Sequence, residues 1–108
     1  MGGGRVWPTE SFHSVLKVAR ECGLRTHMDG ARLMNAAVAS RAPAAQHAGG
    51  FDTAWLDFTK GLGAPVGAVL CGSRELMHEG WRFKQQMGGA FRQSGIVCLL
   101  YTSPSPRD

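Results

Sequence analysis

The sequence predicts an α/β fold. Short apolar runs at 24–29, 53–58 and 66–71 alternate with segments whose apolar residues recur at helical spacing, and most of the runs end in turn-forming residues. The composition, 44% hydrophobic with 8% aromatic over 108 residues, suits one small folded domain or part of one.

The first helix is expected from Thr9. Phe12, Val15, Leu16, Ala19 and Cys22 share one face, while Glu10, His13, Lys17 and Arg20 fall mostly elsewhere on the wheel. Pro8 stands just before this helix, and Gly23 suits its C-terminal stop. Residues 24–29 then read as a short strand ending at Asp29-Gly30, which passes into a helix carrying Leu33, Ala36, Ala37 and Val38. The stretch containing Pro43, Gly49 and Gly50 reads as a loop. The apolar run at 53–58 reads as a buried strand that delivers Thr59-Lys60 into Gly61-Leu62-Gly63-Ala64-Pro65. A further strand is expected at 66–71. Ser73 then caps a helix over about 74–86, Gly88-Gly89 ends it, and another helix starts near Phe91.

Several function classes are disfavoured. The formal charge of +4 comes from basic residues spread along the chain, so the electrostatic footprint of a nucleic-acid binder is not expected. Cys22, Cys71 and Cys98 form no C-x-x-C pair and have no histidine at ligand spacing, so neither a metal nor a disulfide is expected, and a reduced, cytoplasmic setting fits best. No apolar stretch is long enough to span a bilayer, and no membrane partner is expected. Gly61-x-Gly63 lacks the third glycine of a dinucleotide fingerprint. There is also no Walker-type Gly-Lys-Ser/Thr and no Gly-x-Ser-x-Gly elbow.

Three charged groups near expected strand ends remain. Asp29 before a glycine makes a turn in most proteins, and alone it decides nothing. Lys60 follows an apolar run, where a partly buried ammonium is costly unless paired or put to use. Placed three residues after Asp29, on the first turn of the following helix, Arg32 is expected to point toward the same end of the sheet. Together they put a carboxylate, a guanidinium and an amine beyond the carboxyl ends of strands, where ligands of α/β folds collect.

The segments His27-Met28-Asp29-Gly30-Ala31-Arg32-Leu33-Met34-Asn35-Ala36 and Thr59-Lys60-Gly61-Leu62-Gly63-Ala64-Pro65-Val66-Gly67 closely resemble two signatures of the low-specificity threonine aldolases, fold-type-I lyases that use pyridoxal 5'-phosphate (PLP). The resemblance extends through 2–8 and 87–95, in the same order. It implies that the chain is an internal piece of the large PLP-binding domain. Lys60 would be the Schiff-base lysine, Asp29 the partner of the ring nitrogen and Ala31 a surface against the ring. Arg32 would hold the substrate carboxylate, and Arg92 would reach the cofactor phosphate of a neighbouring subunit. The implied reaction is aldol cleavage of L-threonine, L-allo-threonine or related β-hydroxy-α-amino acids to glycine and an aldehyde, by a homo-oligomer (dimer or tetramer) when full length. The resemblance leaves open another lyase of this fold type that catalyses β-elimination, and a noncatalytic scaffold fragment. His27 shares a strand face with Asp29 and is expected to be packed or hydrogen-bonded.

Residues 98–108 match a one-frame translation of a transposase adapter used in sequencing libraries, so the native part is expected to be 1–97. The phosphate loop and the residue stacked on the ring's other face lie in neither part. The polypeptide as written is therefore expected to bind PLP poorly and to be inactive.

Overall fold

The computed structural model describes residues 3–93 and residue 95. The elements are α1 (Thr9–Glu21), β1 (His27–Gly30), α2 (Leu33–Ser40), α3 (Ala44–Ala48), β2 (Thr53–Asp57), β3 (Ala68–Gly72) and α4 (Arg74–Gln86). β1 pairs with β2 in parallel across the α2–α3 crossover, and β2 pairs with β3 antiparallel, giving a sheet ordered β1-β2-β3. This is the expected mixture of helices and strands.

The long helices begin and end where their termini can be satisfied. α1 starts after Pro8, whose extended φ of −60° leads into the first turn. It stops at Gly23, which takes a left-handed φ of 68°, so that Gly23 N–H donates to Arg20 O (3.0 Å) and Leu24 N–H to Ala19 O (2.8 Å). That pair of bonds is a Schellman motif. α4 repeats it with Gly88 at φ 73°, where Gly88 N–H donates to Gln85 O and Gly89 N–H to Lys84 O. Ser73 Oγ accepts from Leu76 N–H at the other end of α4, as the sequence predicts.

Four expectations are corrected. The stretch around Pro43 and Gly49 contains the five-residue helix α3. Arg32 is the N-cap of α2, with φ −129°, and stands before the first turn rather than on it. β2 ends at Asp57 and is buried there alone, its other residues being half-buried, while β3 is exposed along its length. Phe91 is irregular and Arg92 and Gln93 form a turn where a helix start is expected, while Gly95 is helical; residue 94 and the residues after 95, the tail at 98–108 included, lie outside the described residues.

Leu16, Ala19 and Met28 are the buried apolar side chains among the described residues. Beside them Phe12 stacks on Trp7 (ring centroids 5.8 Å apart) and meets Phe51 and His47 edge-on. His47 is buried and is satisfied by Ser40 Oγ at 2.8 Å.

A polar clasp fixes the register of β1 against β2. Thr26 donates its N–H and its hydroxyl to Asp52 Oδ2 (2.7 and 2.9 Å), while the Asp52 and Thr53 N–H groups donate to Thr26 O. Arg25 Nη1 reaches Asp52 Oδ1 at 2.8 Å. The Thr26 backbone N–H, followed by Arg25, holds the Asp52 carboxyl below its ordinary 3.8, at about 2. A carboxyl whose folded value lies below its unfolded one stabilises the fold above the unfolded value and loses that contribution as pH falls through the folded one. Acid titration is therefore expected to lose helical circular dichroism between about pH 4 and pH 2. Asp52→Asn should lower the signal at neutral pH and flatten this acid limb. A limb identical in the two proteins would refute the assignment to Asp52.

Candidate active site

The register of the parallel pair decides which side chains can meet. His27 lies opposite Thr53, and Asp29 opposite Trp55. Partners in register project from the same face, so His27, Asp29, Thr53, Trp55 and Asp57 share one side of the sheet. His27 Nδ1 lies 2.8 Å from Thr53 Oγ1, which gives the histidine the hydrogen-bonded role expected of it.

Asp29 stands at the carboxyl end of β1. Its Oδ1 accepts the Ala31 N–H at 3.0 Å and closes the turn into α2, while Oδ2 has no hydrogen-bond partner among the described residues. Gly30 is required just here, because a Cβ on it would come 2.0 Å from Trp55 O on the neighbouring strand. Arg32 follows, exposed, its carbonyl accepting the Ala36 N–H and its guanidinium making no hydrogen bond or ion pair among the described residues. Asp29 and Arg32 both line a cavity of about 570 Å³, together with Arg5, Trp7, Phe12 and Asn35 among others.

Lys60 lies in the loop at 58–67 that joins β2 to β3. Phe58 N–H to Gly67 O (3.0 Å) and Ala64 N–H to Phe58 O (2.8 Å) close the loop, and Gly63 N–H to Lys60 O forms a turn within it. The ammonium sits 5.8 Å from the centre of the Trp55 ring, over the face that carries Asp29. Gly61 lets the loop press onto α2, since a Cβ there would come 1.9 Å from Asn35 Oδ1. Lys60 does not line the 570 Å³ cavity, and neither does Arg92, which is exposed beyond α4. The structure thus groups Asp29, Ala31 and Arg32 at one strand end and sets Lys60 on the same sheet face one strand over.

One residue at this end escapes a reading of the sequence. Asp57, 5% exposed, accepts Lys60 Nζ on Oδ2 and both the N–H and the hydroxyl of Thr59 on Oδ1 (2.7 Å each). Lys60, then Thr59, holds its carboxyl at about 2, below the ordinary 3.8. Its signal in the sequence is an acid three residues before the lysine at the end of an apolar run. Among the described residues no group of three His, Cys, Asp or Glu side chains could hold a metal ion. Nor is any helix among them long and apolar enough to cross a membrane.

Comparison with known proteins adds to this geometry. A low-specificity L-threonine aldolase of Candida albicans is 39% identical over 97 residues, which cover 90% of this chain and 26% of that protein. The alanine racemase TOXG of Cochliobolus carbonum is 34% identical over 95 residues, covering 88% of this chain and 24% of its own. A crystal structure from Exiguobacterium sp. 255-15, described as a putative aromatic amino acid beta-eliminating lyase/threonine aldolase, superposes with a TM-score of 0.76 at 34% identity. That match covers 81% of this chain and 25% of the other. The chain thus spans about a quarter of the length of the relatives it matches. Residues 1–102 match the family described as beta-eliminating lyase, and on that match, with its α/β fold in agreement, the chain belongs to the beta-eliminating lyase family.

Proposed function

We propose that the protein containing this chain is a PLP-dependent aldehyde-lyase that splits L-threonine, L-allo-threonine and related β-hydroxy-α-amino acids into glycine and an aldehyde, acetaldehyde for threonine itself. The observation that carries the reading is the arrival of an amine (Lys60) and a carboxylate with a free oxygen (Asp29) on one sheet face at adjoining strand ends, with an unpaired guanidinium (Arg32) beside the carboxylate. This donor set fits PLP, which has an aldehyde for an amine, a pyridinium N–H for a carboxylate and room for a substrate carboxylate nearby. When bound, PLP supplies an electron sink conjugated to the substrate's α-carbon.

The residues divide the work by their chemistry. Lys60 would supply the amine that holds the cofactor. Asp29 uses Oδ2 to keep the ring nitrogen protonated, while Oδ1 stays with the Ala31 N–H. Ala31 offers a small surface next to the ring. Arg32 would present a planar fork to the substrate carboxylate and so orient the substrate's α-carbon for cleavage of the bond to its β-carbon. Arg92 extends to the cofactor phosphate of a neighbouring subunit, which makes the full-length enzyme a homo-oligomer. Residues 1–97 form part of the cofactor-binding domain of a cytoplasmic enzyme, a setting in keeping with the free thiols of Cys22 and Cys71.

The family description and the solved neighbour's title favour β-elimination as the second reading. Product analysis of the full-length enzyme with threonine separates the two. Glycine and acetaldehyde in equal amounts are expected, whereas a keto acid with ammonia and no glycine would overturn the aldolase reading.

The contact under Gly61 yields a further expected outcome. Gly61→Ala forces either Asn35 or the lysine loop to move, and a misplacement near 1 Å at a reacting group costs on the order of 10²-fold in rate. The kcat/KM of the full-length variant is expected to fall on that order with its circular dichroism retained. Wild-type kcat/KM would mean that the Asn35 side chain gives way and the loop keeps its place.

A further inference from the structure

We propose that Asp57 is the positioning residue for Lys60: its buried carboxylate anchors the ammonium on the cofactor face of the sheet whenever the lysine is not bonded to the cofactor. Three observations carry this. Asp57 is 5% exposed yet faces the side of β2 shared by Asp29 and Trp55. Both of its oxygens are engaged within the loop that holds the lysine, one by the Thr59 N–H and hydroxyl and the other by Lys60 Nζ. Thr59 thereby fixes the carboxylate's rotation and leaves Oδ2 aimed at the amine. Lys60 itself is 40% exposed, so without this partner its four-carbon stem is free to swing into solvent.

The inference rests on the assignment of Lys60 as the cofactor lysine and adds a cause for that lysine's orientation. In such a reaction the amine leaves the cofactor and returns to it every turnover, so a fixed resting place shortens the search for the productive geometry. The same contact lowers the amine's availability to outside reagents, because Nζ is held against Asp57 Oδ2 and over the Trp55 ring. The groups against the ammonium are the Asp57 carboxylate at the end of β2 and the Trp55 ring, and Asp29 lies on the same sheet face one strand over.

Competitive acylation tests this without any cofactor. The chain contains three lysines, Lys17, Lys60 and Lys84. Lys17 pairs with Glu21 only at 4.0 Å with both side chains exposed, and Lys84 lies over the exposed Trp81, so these two act as internal standards. A trace of acetic anhydride at constant pH, followed by peptide mapping, is expected to label Lys60 several-fold less than the other two in the native chain, because its Nζ is held against Asp57 Oδ2. All three should label alike in concentrated urea. Asp57→Asn should raise native Lys60 labelling by a similar factor and leave Lys17 and Lys84 unchanged, whereas Asp57→Glu, which keeps the charge, should retain much of the protection.

Equal labelling of the three lysines in the native wild-type chain overturns the proposal, as does Lys60 labelling unaltered by Asp57→Asn. The cofactor assignment is read separately, by borohydride reduction of PLP on the full-length enzyme and mapping of the modified lysine. PLP on another lysine would refute that assignment and leave the acylation result standing.

Discussion

In the full-length enzyme, Lys60→Ala is expected to abolish the visible absorbance of attached PLP and to lower kcat/KM for threonine cleavage by on the order of 10³-fold or more, the scale of losing a covalent catalytic group. Lys60→Arg sharpens the test. Arginine keeps the positive charge and can still reach the Asp57 carboxylate, so a merely structural ion pair survives this substitution. The guanidinium stays protonated and cannot attach an aldehyde, so the covalent role does not survive. Comparable losses in Ala and Arg variants, with melting temperature preserved in the latter, assign the lysine to chemistry. Retained absorbance and turnover in Lys60→Arg would reduce Lys60 to a partner of Asp57.

The elements legible in the sequence were those whose signals are local. α1 and α4 combine a long apolar period with glycines that take up left-handed φ beyond the last turn, and Ser73 offers a hydroxyl to the first turn of α4. α3 was not legible. Five residues, mostly alanine, between Pro43 and Gly49 hold too little periodicity to stand out from a loop. The half-buried state of β2 and the exposure of β3 depend on what packs across the sheet, which no local pattern encodes. The antiparallel course of β3 follows from the span of 58–67, which is too short for a parallel crossover.

For the site, the residues that resemble family signatures stood out together because they occur as unbroken segments around Asp29 and Lys60. Asp57 did not, because its relation to Lys60 is made by the turn at Phe58-Thr59, which folds the lysine back over the strand it has just left. An acid three residues before a lysine is a familiar pairing on a helix; at a strand end only the chain reversal brings the two together. Arg32 stands one position before the first turn of α2, because as the N-cap it has a non-helical φ of −129° that its neighbours in the sequence do not reveal.

Asp29→Asn and Asp29→Ala are expected to part company, and the difference separates a turn residue from a cofactor residue. Oδ1 closes the turn through the Ala31 N–H, Oδ2 has no hydrogen-bond partner among the described residues, and on the proposed reading Oδ2 would meet the cofactor. Asparagine reproduces the first role, because its side-chain carbonyl accepts the same N–H with the same reach. It lacks the negative charge needed to keep a ring nitrogen protonated. Asp29→Asn should therefore keep the thermal stability of the wild type while kcat/KM of the full-length enzyme falls by about 10²-fold or more, as when a preorganised electrostatic group is removed. Asp29→Ala should show at least that loss of activity and, in addition, cost about 1 kcal/mol of stability from the broken turn bond. If Asn restores both stability and activity, Asp29 serves the turn alone and the cofactor reading fails at this residue. If activity collapses in Asn while the melting curve is unmoved, the free oxygen rather than the turn carries the function.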